Sequence, residues 1–118
     1  MHEASLVLAM CEEIKRLAQK ERARKVLSIV VTFGEFSGIE EEAFRFAFEA
    51  LKKGLPLFEG ARLFIEKVPA HFRCPWCGRS YRPLEGPNCP SCQVPGLPAG
   101  GGELEIKKVE FLLEEENV

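Results

Sequence analysis

The stretch Val26-Leu-Ser-Ile-Val-Val-Thr-Phe33 decides the fold of this chain. It is a run of β-branched and other apolar residues, interrupted by two hydroxyl side chains and by no charge. Such runs are typical of a central strand that is buried over most of its surface. We therefore expect this strand to lie in the middle of a sheet, with the neighbouring segments packed around it.

Amphipathic helices are predicted on both sides of this strand. From Glu3 to about Lys20, apolar residues recur at helical spacing and form one stripe, namely Leu6, Val7, Met10, Ile14, Leu17 and Ala18. After a turn at residues 34–38, Ser37 and Glu40 have the spacing of a capping box, which predicts the start of a second helix that stops at Gly54. Its apolar face is interpreted as core packing and comprises Ile39, Ala43, Phe44, Ala47, Phe48 and Leu51.

Two further strands complete the predicted sheet, at residues 62–68 and about 103–113. In the last strand the alternation of apolar residues changes phase across Lys107-Lys108. A β-bulge there would bring one set of side chains to a common inward face: Leu104, Ile106, Val109, Phe111 and Leu113. The pattern predicts an α+β fold in which two helices lie on one face of a three-stranded mixed sheet.

The segment before the last strand is rich in proline and glycine and holds four of the five cysteines. They form two C-x-x-C pairs, Cys74-Pro-Trp-Cys77 and Cys89-Pro-Ser-Cys92, with eleven residues between the pairs. In a reducing compartment this spacing indicates a tetrahedral site with four thiolate ligands, for which zinc is favoured. Four thiolates leave no open position, so the metal would be structural. A segment so poor in apolar side chains would need the metal to fold.

These features predict two domains. Residues 1–68 and 103–118 would form the αβ domain, and residues 69–102 an inserted zinc-ribbon-like lobe with its return linker. Cys11, the fifth cysteine, has core spacing on the first helix and is interpreted as a small buried hydrophobe.

Other interpretations of the cysteine pairs remain open. Two disulfides, a thioredoxin-type motif or a rubredoxin-like iron site would use similar pairs, although Gln93-Val94 replaces the glycine expected after the second iron knuckle. A zinc ribbon can also bind protein or nucleic acid, and a modest basic and aromatic face is available for this purpose: Arg73, Trp76, Arg79, Tyr81 and Arg82. The net charge of −2 over 118 residues argues against binding through broad phosphate neutralisation.

The N-terminus, Met1-His2-Glu3, is a candidate chelate. A free α-amine, the His2 amide and the imidazole can surround Ni²⁺ or Cu²⁺ with nitrogen ligands, and Glu3 can add its amide or carboxylate. The alternative is that His2 is only a solvated terminal residue.

The N-terminus lacks the basic n-region of a signal peptide, and no apolar run is long enough to cross a bilayer. A cytoplasmic protein is therefore expected. We find no base–nucleophile pair and no phosphate loop, so no enzyme activity is expected.

Several motifs occur in an order that resembles one family over essentially the whole chain: Met1-His2-Glu3, Gly34-Glu-Phe-Ser-Gly-Ile39, Arg45-Phe-Ala-Phe48, Glu59-Gly-Ala-Arg-Leu63, the double C-x-x-C and Gly102-Glu-Leu-Glu-Ile106. The chain is similar to HypA/HybF, the nickel metallochaperones of NiFe-hydrogenase maturation. The resemblance implies nickel at Met1, His2 and Glu3, and zinc at the four cysteines of the two pairs. It also implies that the protein works with the maturation GTPase HypB to load nickel into the hydrogenase large subunit. The protein itself would be a monomer or a homodimer. Neither nucleic acid nor a membrane is expected as a partner.

One departure from the family pattern concerns histidine. Many relatives, especially those that also serve urease, carry histidines directly after the knuckles, where this chain has Gly78-Arg79 and Gln93-Val94. A switch of zinc ligands from cysteine to histidine is therefore not expected here. The only histidine besides His2 is His71, which we interpret as a neck residue rather than a ligand.

Overall fold

The computed structural model describes residues 3–84, 86–99 and 104–114. Strand β1 (Ala23–Gly34) is the middle strand of a three-stranded sheet. It pairs in parallel with β2 (Arg62–Val68) and antiparallel with β6 (Glu105–Leu113), so that Ile29 lies between Leu63 and Val109. The predicted mixed sheet and its central strand are confirmed, because the segment richest in β-branched residues is the one with a neighbour on both edges.

Helices α1 (Glu3–Glu21) and α2 (Glu41–Lys52) pack their apolar stripes into one hydrophobic core. The core is shared with the inward side chains of the sheet and includes Val7, Met10, Cys11, Ile14, Val26, Ile29, Val31, Phe44, Phe48, Phe58 and Leu63. Two ring pairs join its parts: Phe33 with Phe44, and Phe48 edge-to-face with Phe58. Phe64 and Leu112, on the other face of the sheet, are each 43% exposed. The α+β class predicted from the sequence, with its three-stranded mixed sheet, is therefore confirmed.

Cys11 is 1% exposed, as its helical position predicted. Burial raises the pKa of its thiol to about 11, because desolvation disfavours the thiolate. Cys11 is therefore a neutral packing residue near pH 7.

The capping box predicted for α2 is wrong. Ser37 lies in the turn after β1, and its hydroxyl accepts a hydrogen bond from the N–H of Ile39 at 3.2 Å instead of capping the helix. Gly38 has φ of +80° and separates this turn from the helix. The N-cap is Glu40, whose own N–H donates to the Glu3 carboxylate at 3.1 Å. The start of α2 is thus linked to the start of α1.

The phase slip predicted in the last strand is confirmed. Lys108 is opposite Val30, whereas Ile106 is opposite the next residue, Val31, which leaves Lys107 as an extra residue in β6. As a result, Leu104, Ile106, Val109 and Phe111 all pack against the core. Leu113, the fifth predicted member of this face, is 53% exposed and is not among the side chains that pack against the core, so it does not contribute to the core as predicted. Two further register shifts occur in the first half of β1, near Arg24 and Leu27, and Leu113 lies at that irregular end.

The segment from residue 69 to residue 99, called the cysteine lobe here, contains a second small sheet. Its strands are β3 (Phe72–Arg73), β4 (Ser80–Tyr81) and β5 (Leu97–Pro98), in the order β4-β3-β5. The Phe72 and Tyr81 rings meet edge-on, 6.1 Å apart. Gly96 lies directly against the Tyr81 ring, where a β-carbon would collide with the phenol. Residues 3–68 and 104–114 are called the αβ lobe. Among the described residues, no helix is long and apolar enough to cross a membrane.

Candidate metal centres

The four cysteines of the two C-x-x-C pairs converge at one point of the cysteine lobe. The sulfur atoms of Cys74, Cys77, Cys89 and Cys92 all lie within 4.8 Å of one another. Across the pairs, the sulfurs of Cys77 and Cys89 are 3.8 Å apart. Tetrahedral Zn–S bonds of about 2.3 Å require sulfur–sulfur distances of about 3.8 Å, so the donor set fits a single zinc ion.

The two knuckles have the same backbone design. In the first, the N–H of Gly78 donates to the carbonyl of Cys74 at 3.0 Å; in the second, Gln93 donates to Cys89 at 2.9 Å. A second bond closes each loop. The N–H of Cys74 donates to the Arg79 carbonyl at 2.9 Å, and the N–H of Cys89 donates to the Val94 carbonyl at 2.8 Å. Both turns require a positive φ, which is +75° at Gly78 and +64° at Gln93.

Backbone N–H groups in the knuckles point at the sulfur of each first cysteine. Cys74 Sγ accepts from the N–H of Trp76 at 3.4 Å and of Cys77 at 3.5 Å, and Cys89 Sγ accepts from the N–H of Cys92 at 3.4 Å. Both first cysteines are 1% exposed. These bonds place the partial positive charge of backbone N–H groups against both buried sulfurs.

The pKa of Cys74 and the pKa of Cys92 are shifted in opposite directions. The backbone hydrogen bond from Cys77 is the main cause that lowers the pKa of Cys74 to about 7. The pKa of Cys92 rises to about 12, first because of its side-chain hydrogen bond with Cys77 and then through burial. Crowded sulfurs cannot all ionise next to one another without a cation. A divalent metal removes this conflict, because it binds the thiolate form of each ligand.

His71 is not one of the ligands in this cluster. It is half-buried and lies immediately before β3, and its carbonyl accepts a hydrogen bond from the N–H of Ala99 at 2.9 Å. Its backbone therefore joins the two ends of the cysteine lobe, as expected for a neck residue.

Of the predicted nickel site, Met1 and His2 lie outside the described residues. Glu3 is the first residue of α1, and its carboxylate lies at the N-terminal end of α2, where it accepts the Glu40 N–H. A helix N-terminus favours a negative charge, so this contact holds the carboxylate at the start of α2.

Sequence reasoning did not identify Glu35. Its carboxylate contacts Ala70 and Arg82 of the cysteine lobe. These partners lie 35 and 47 positions away along the chain, and no periodic pattern connects them. The glutamate gives no local signal that would have revealed this role.

Comparison with known proteins gives a consistent result. The family model described as "Hydrogenase/urease nickel incorporation, metallochaperone, hypA" matches residues 1–111. The hydrogenase maturation factor HypA of Wolinella succinogenes is 35% identical over 119 residues, covering 98% of this chain and 99% of that protein. The HypA of Geobacter metallireducens is 36% identical over 113 residues, covering 93% and 98%. The solution structure of the Ni metallochaperone HypA from Helicobacter pylori superimposes with a TM-score of 0.76 at 27% identity, over 97% of this chain and 100% of that one.

Proposed function

This chain belongs to the HypA family of nickel-incorporation metallochaperones, and from that membership we propose that it binds Ni²⁺ at its free N-terminus and delivers it to the large subunit of a NiFe hydrogenase. The observation that carries the proposal is the family match, which begins at Met1 and therefore includes the whole Met1-His2-Glu3 terminus. The α-amine, the imidazole and an amide nitrogen of this terminus suit the tetragonal geometry of Ni²⁺. Metal transport needs no enzymatic step.

The proposed ligands have different roles. The Met1 amine and the His2 ring would hold the ion, and an amide nitrogen near His2-Glu3 would close the chelate. Glu3 has a supporting role in this proposal, because its carboxylate contacts the N-cap of α2 and would limit the orientations that the terminus can adopt.

Hydrogenase is the proposed recipient rather than urease. The relatives from Wolinella succinogenes and Geobacter metallireducens are both described as hydrogenase maturation factors. The knuckles here also end in Gly78-Arg79 and Gln93-Val94, without the histidines that mark many relatives serving urease. We propose that transfer requires a HypB-type GTPase that docks near the N-terminus, because the metal must pass between closely apposed sites.

The four converging sulfurs support a structural zinc ion bound by Cys74, Cys77, Cys89 and Cys92. When bound, zinc would supply a fixed tetrahedral cross-link between the two knuckles. We further propose the domain division at residues 68/69 and 102/103, with an αβ domain that carries nickel and an inserted domain that carries zinc.

Nickel titration by calorimetry tests the proposal. Untagged protein should bind one Ni²⁺ per chain whether or not zinc is present. His2→Ala should abolish tight binding, because the anchoring ring is removed, and one extra residue before Met1 should do nearly the same by displacing the amine.

Two controls accompany this titration. Glu3→Gln should be milder, since the amide backbone survives and the glutamine oxygen can still accept the Glu40 N–H. His71→Ala should leave nickel affinity unchanged. Full affinity in both His2→Ala and the extended protein would place the nickel site elsewhere in the chain.

A further inference from the structure

Glu35 lies between the αβ lobe and the cysteine lobe, directly after the last residue of β1. Its Oε2 atom accepts a hydrogen bond from the Ala70 N–H at 2.8 Å. Arg82 Nη1 is 3.2 Å from the same oxygen, and Arg82 Nη2 is 3.5 Å from Oε1. One carboxylate thus binds the neck of the cysteine lobe and also a residue next to β4.

Polar contact between the lobes is concentrated on this one residue. Across the described ranges, every hydrogen bond and ion pair found between the αβ lobe and the cysteine lobe ends on the Glu35 carboxylate. The backbone of Glu35 belongs to the αβ lobe, because its N–H donates to the carbonyl of Val68 at 2.9 Å. Its main chain is therefore fixed by the large sheet while its side chain binds the other lobe.

Apolar packing contributes little to the orientation of the cysteine lobe. The buried apolar residues in this lobe are Ala70, Cys74 and Cys89, and two of these are metal ligands by position. Small polar interfaces between lobes permit relative motion unless specific contacts prevent it. The molecule is also elongated, 64 × 32 × 16 Å, so a small rotation at the neck moves the far end of the lobe through a large arc.

We propose that Glu35 acts as a clasp that fixes the cysteine lobe against the αβ lobe, and that release of this clasp lets the cysteine lobe rotate as a unit on its neck. The clasp has two parts of different strength. The bond to the Ala70 N–H is shielded, because Ala70 is 3% exposed. The Arg82–Glu35 pair is open to solvent, with side chains 41% and 39% exposed, and salt will screen it.

Nitrogen-15 relaxation of the full-length, zinc-loaded protein tests the proposal. The unmodified protein should tumble with one correlation time for both lobes at low salt. Glu35→Ala removes both parts of the clasp, so the cysteine lobe should lose the common correlation time and tumble faster than the αβ lobe. Glu35→Gln, which keeps an acceptor for Ala70, and Arg82→Gln should give intermediate behaviour.

Arg79→Gln is the matched control. Arg79 is another exposed arginine of the same lobe, and no ion pair to its guanidinium is found among the described residues. This variant should keep the single correlation time. Zinc stoichiometry and the amide spectrum within each lobe show whether every variant is folded.

A salt titration of the unmodified protein provides a second measurement that needs no substitution. Raising the salt from about 0.05 M to about 1 M, which shortens the Debye length to about 3 Å, should move the protein toward the behaviour of Arg82→Gln. The proposal is overturned if folded Glu35→Ala keeps one correlation time, or if the unmodified protein already shows two at low salt. If Glu35→Ala does not fold, the proposal is overturned when Arg82→Gln and the unmodified protein at high salt both keep one correlation time for the two lobes.

Discussion

Gln93 occupies in the second knuckle the position that Gly78 occupies in the first. Both residues have a positive φ and both donate the N–H that closes their turn. Glycine adopts this conformation without steric cost, whereas a residue with a β-carbon is strained there by roughly 1 kcal/mol. The second knuckle therefore forms despite its sequence, because the backbone bonds and the converging sulfurs specify its shape more strongly than the preference of one side chain.

Replacing Gln93 by glycine should stabilise the zinc-bound cysteine lobe. Relief of the strain is worth up to about 1 kcal/mol, so apparent zinc affinity measured by chelator competition should rise by as much as about fivefold. Gly78→Ala should lower the affinity by a similar factor. Apart from its chain neighbours, no atom of the residues that the structure describes lies within 4 Å of the added β-carbon at Gly78, so its effect would come from the backbone alone.

Gln93→Ala is the control for the side chain, because it keeps the β-carbon and should behave like the unmodified protein. Equal zinc affinity in Gln93→Gly and the unmodified protein would show that the positive φ at this position carries no cost.

Strand β6 shows what could be predicted at the scale of an element and what could not. The alternation of apolar residues was sufficient to predict the bulge, because a one-residue slip would turn Val109 and Phe111 to solvent. The same alternation did not predict the exposure of Leu113, since a strand's own pattern contains no information about where its partner strand becomes irregular. The capping box failed for a related reason. A serine in a turn can cap a helix or bond within its own turn, and the spacing of Ser37 and Glu40 does not distinguish the two.

A pair of substitutions in β6 tests this register. Val109→Asp should reduce the free energy of unfolding by at least about 2 kcal/mol, because Val109 packs against the core and the carboxylate would lose water. Leu113→Asp should change it by less than about 0.5 kcal/mol, because that side chain is more than half exposed. Urea unfolding followed by far-ultraviolet circular dichroism gives both values. Comparable losses in the two variants would mean that Leu113 is buried in the core after all.

At the scale of the whole molecule, the sequence predicted the parts better than their arrangement. The convergence of the two C-x-x-C pairs and the position of the central strand follow from spacing and composition within short windows. The contacts that join distant segments do not follow from such windows. The Glu3 carboxylate binds the N-cap of α2 and the Glu35 carboxylate binds Ala70, and each contact joins residues more than thirty positions apart. Such contacts depend on the completed fold, and single charged residues on a polar surface give no periodic signal.

The two lobes should differ in what holds them together, which metal removal can test. The αβ lobe has a continuous hydrophobic core, whereas the cysteine lobe buries little besides its cysteines, so we expect its folding to depend on a bound metal. Cys89→Ala should therefore remove zinc and the amide protection of the cysteine lobe, while most of the helical signal of α1 and α2 remains.

Cys11→Ala is the converse control. It should lower the stability of the αβ lobe by about 1 to 2 kcal/mol and leave one zinc per chain, because Cys11 is buried in the core and is not among the four clustered cysteines. Amide hydrogen exchange resolves the two lobes in one experiment. Loss of protection in both lobes of Cys89→Ala would show that the αβ core cannot fold without the cysteine lobe.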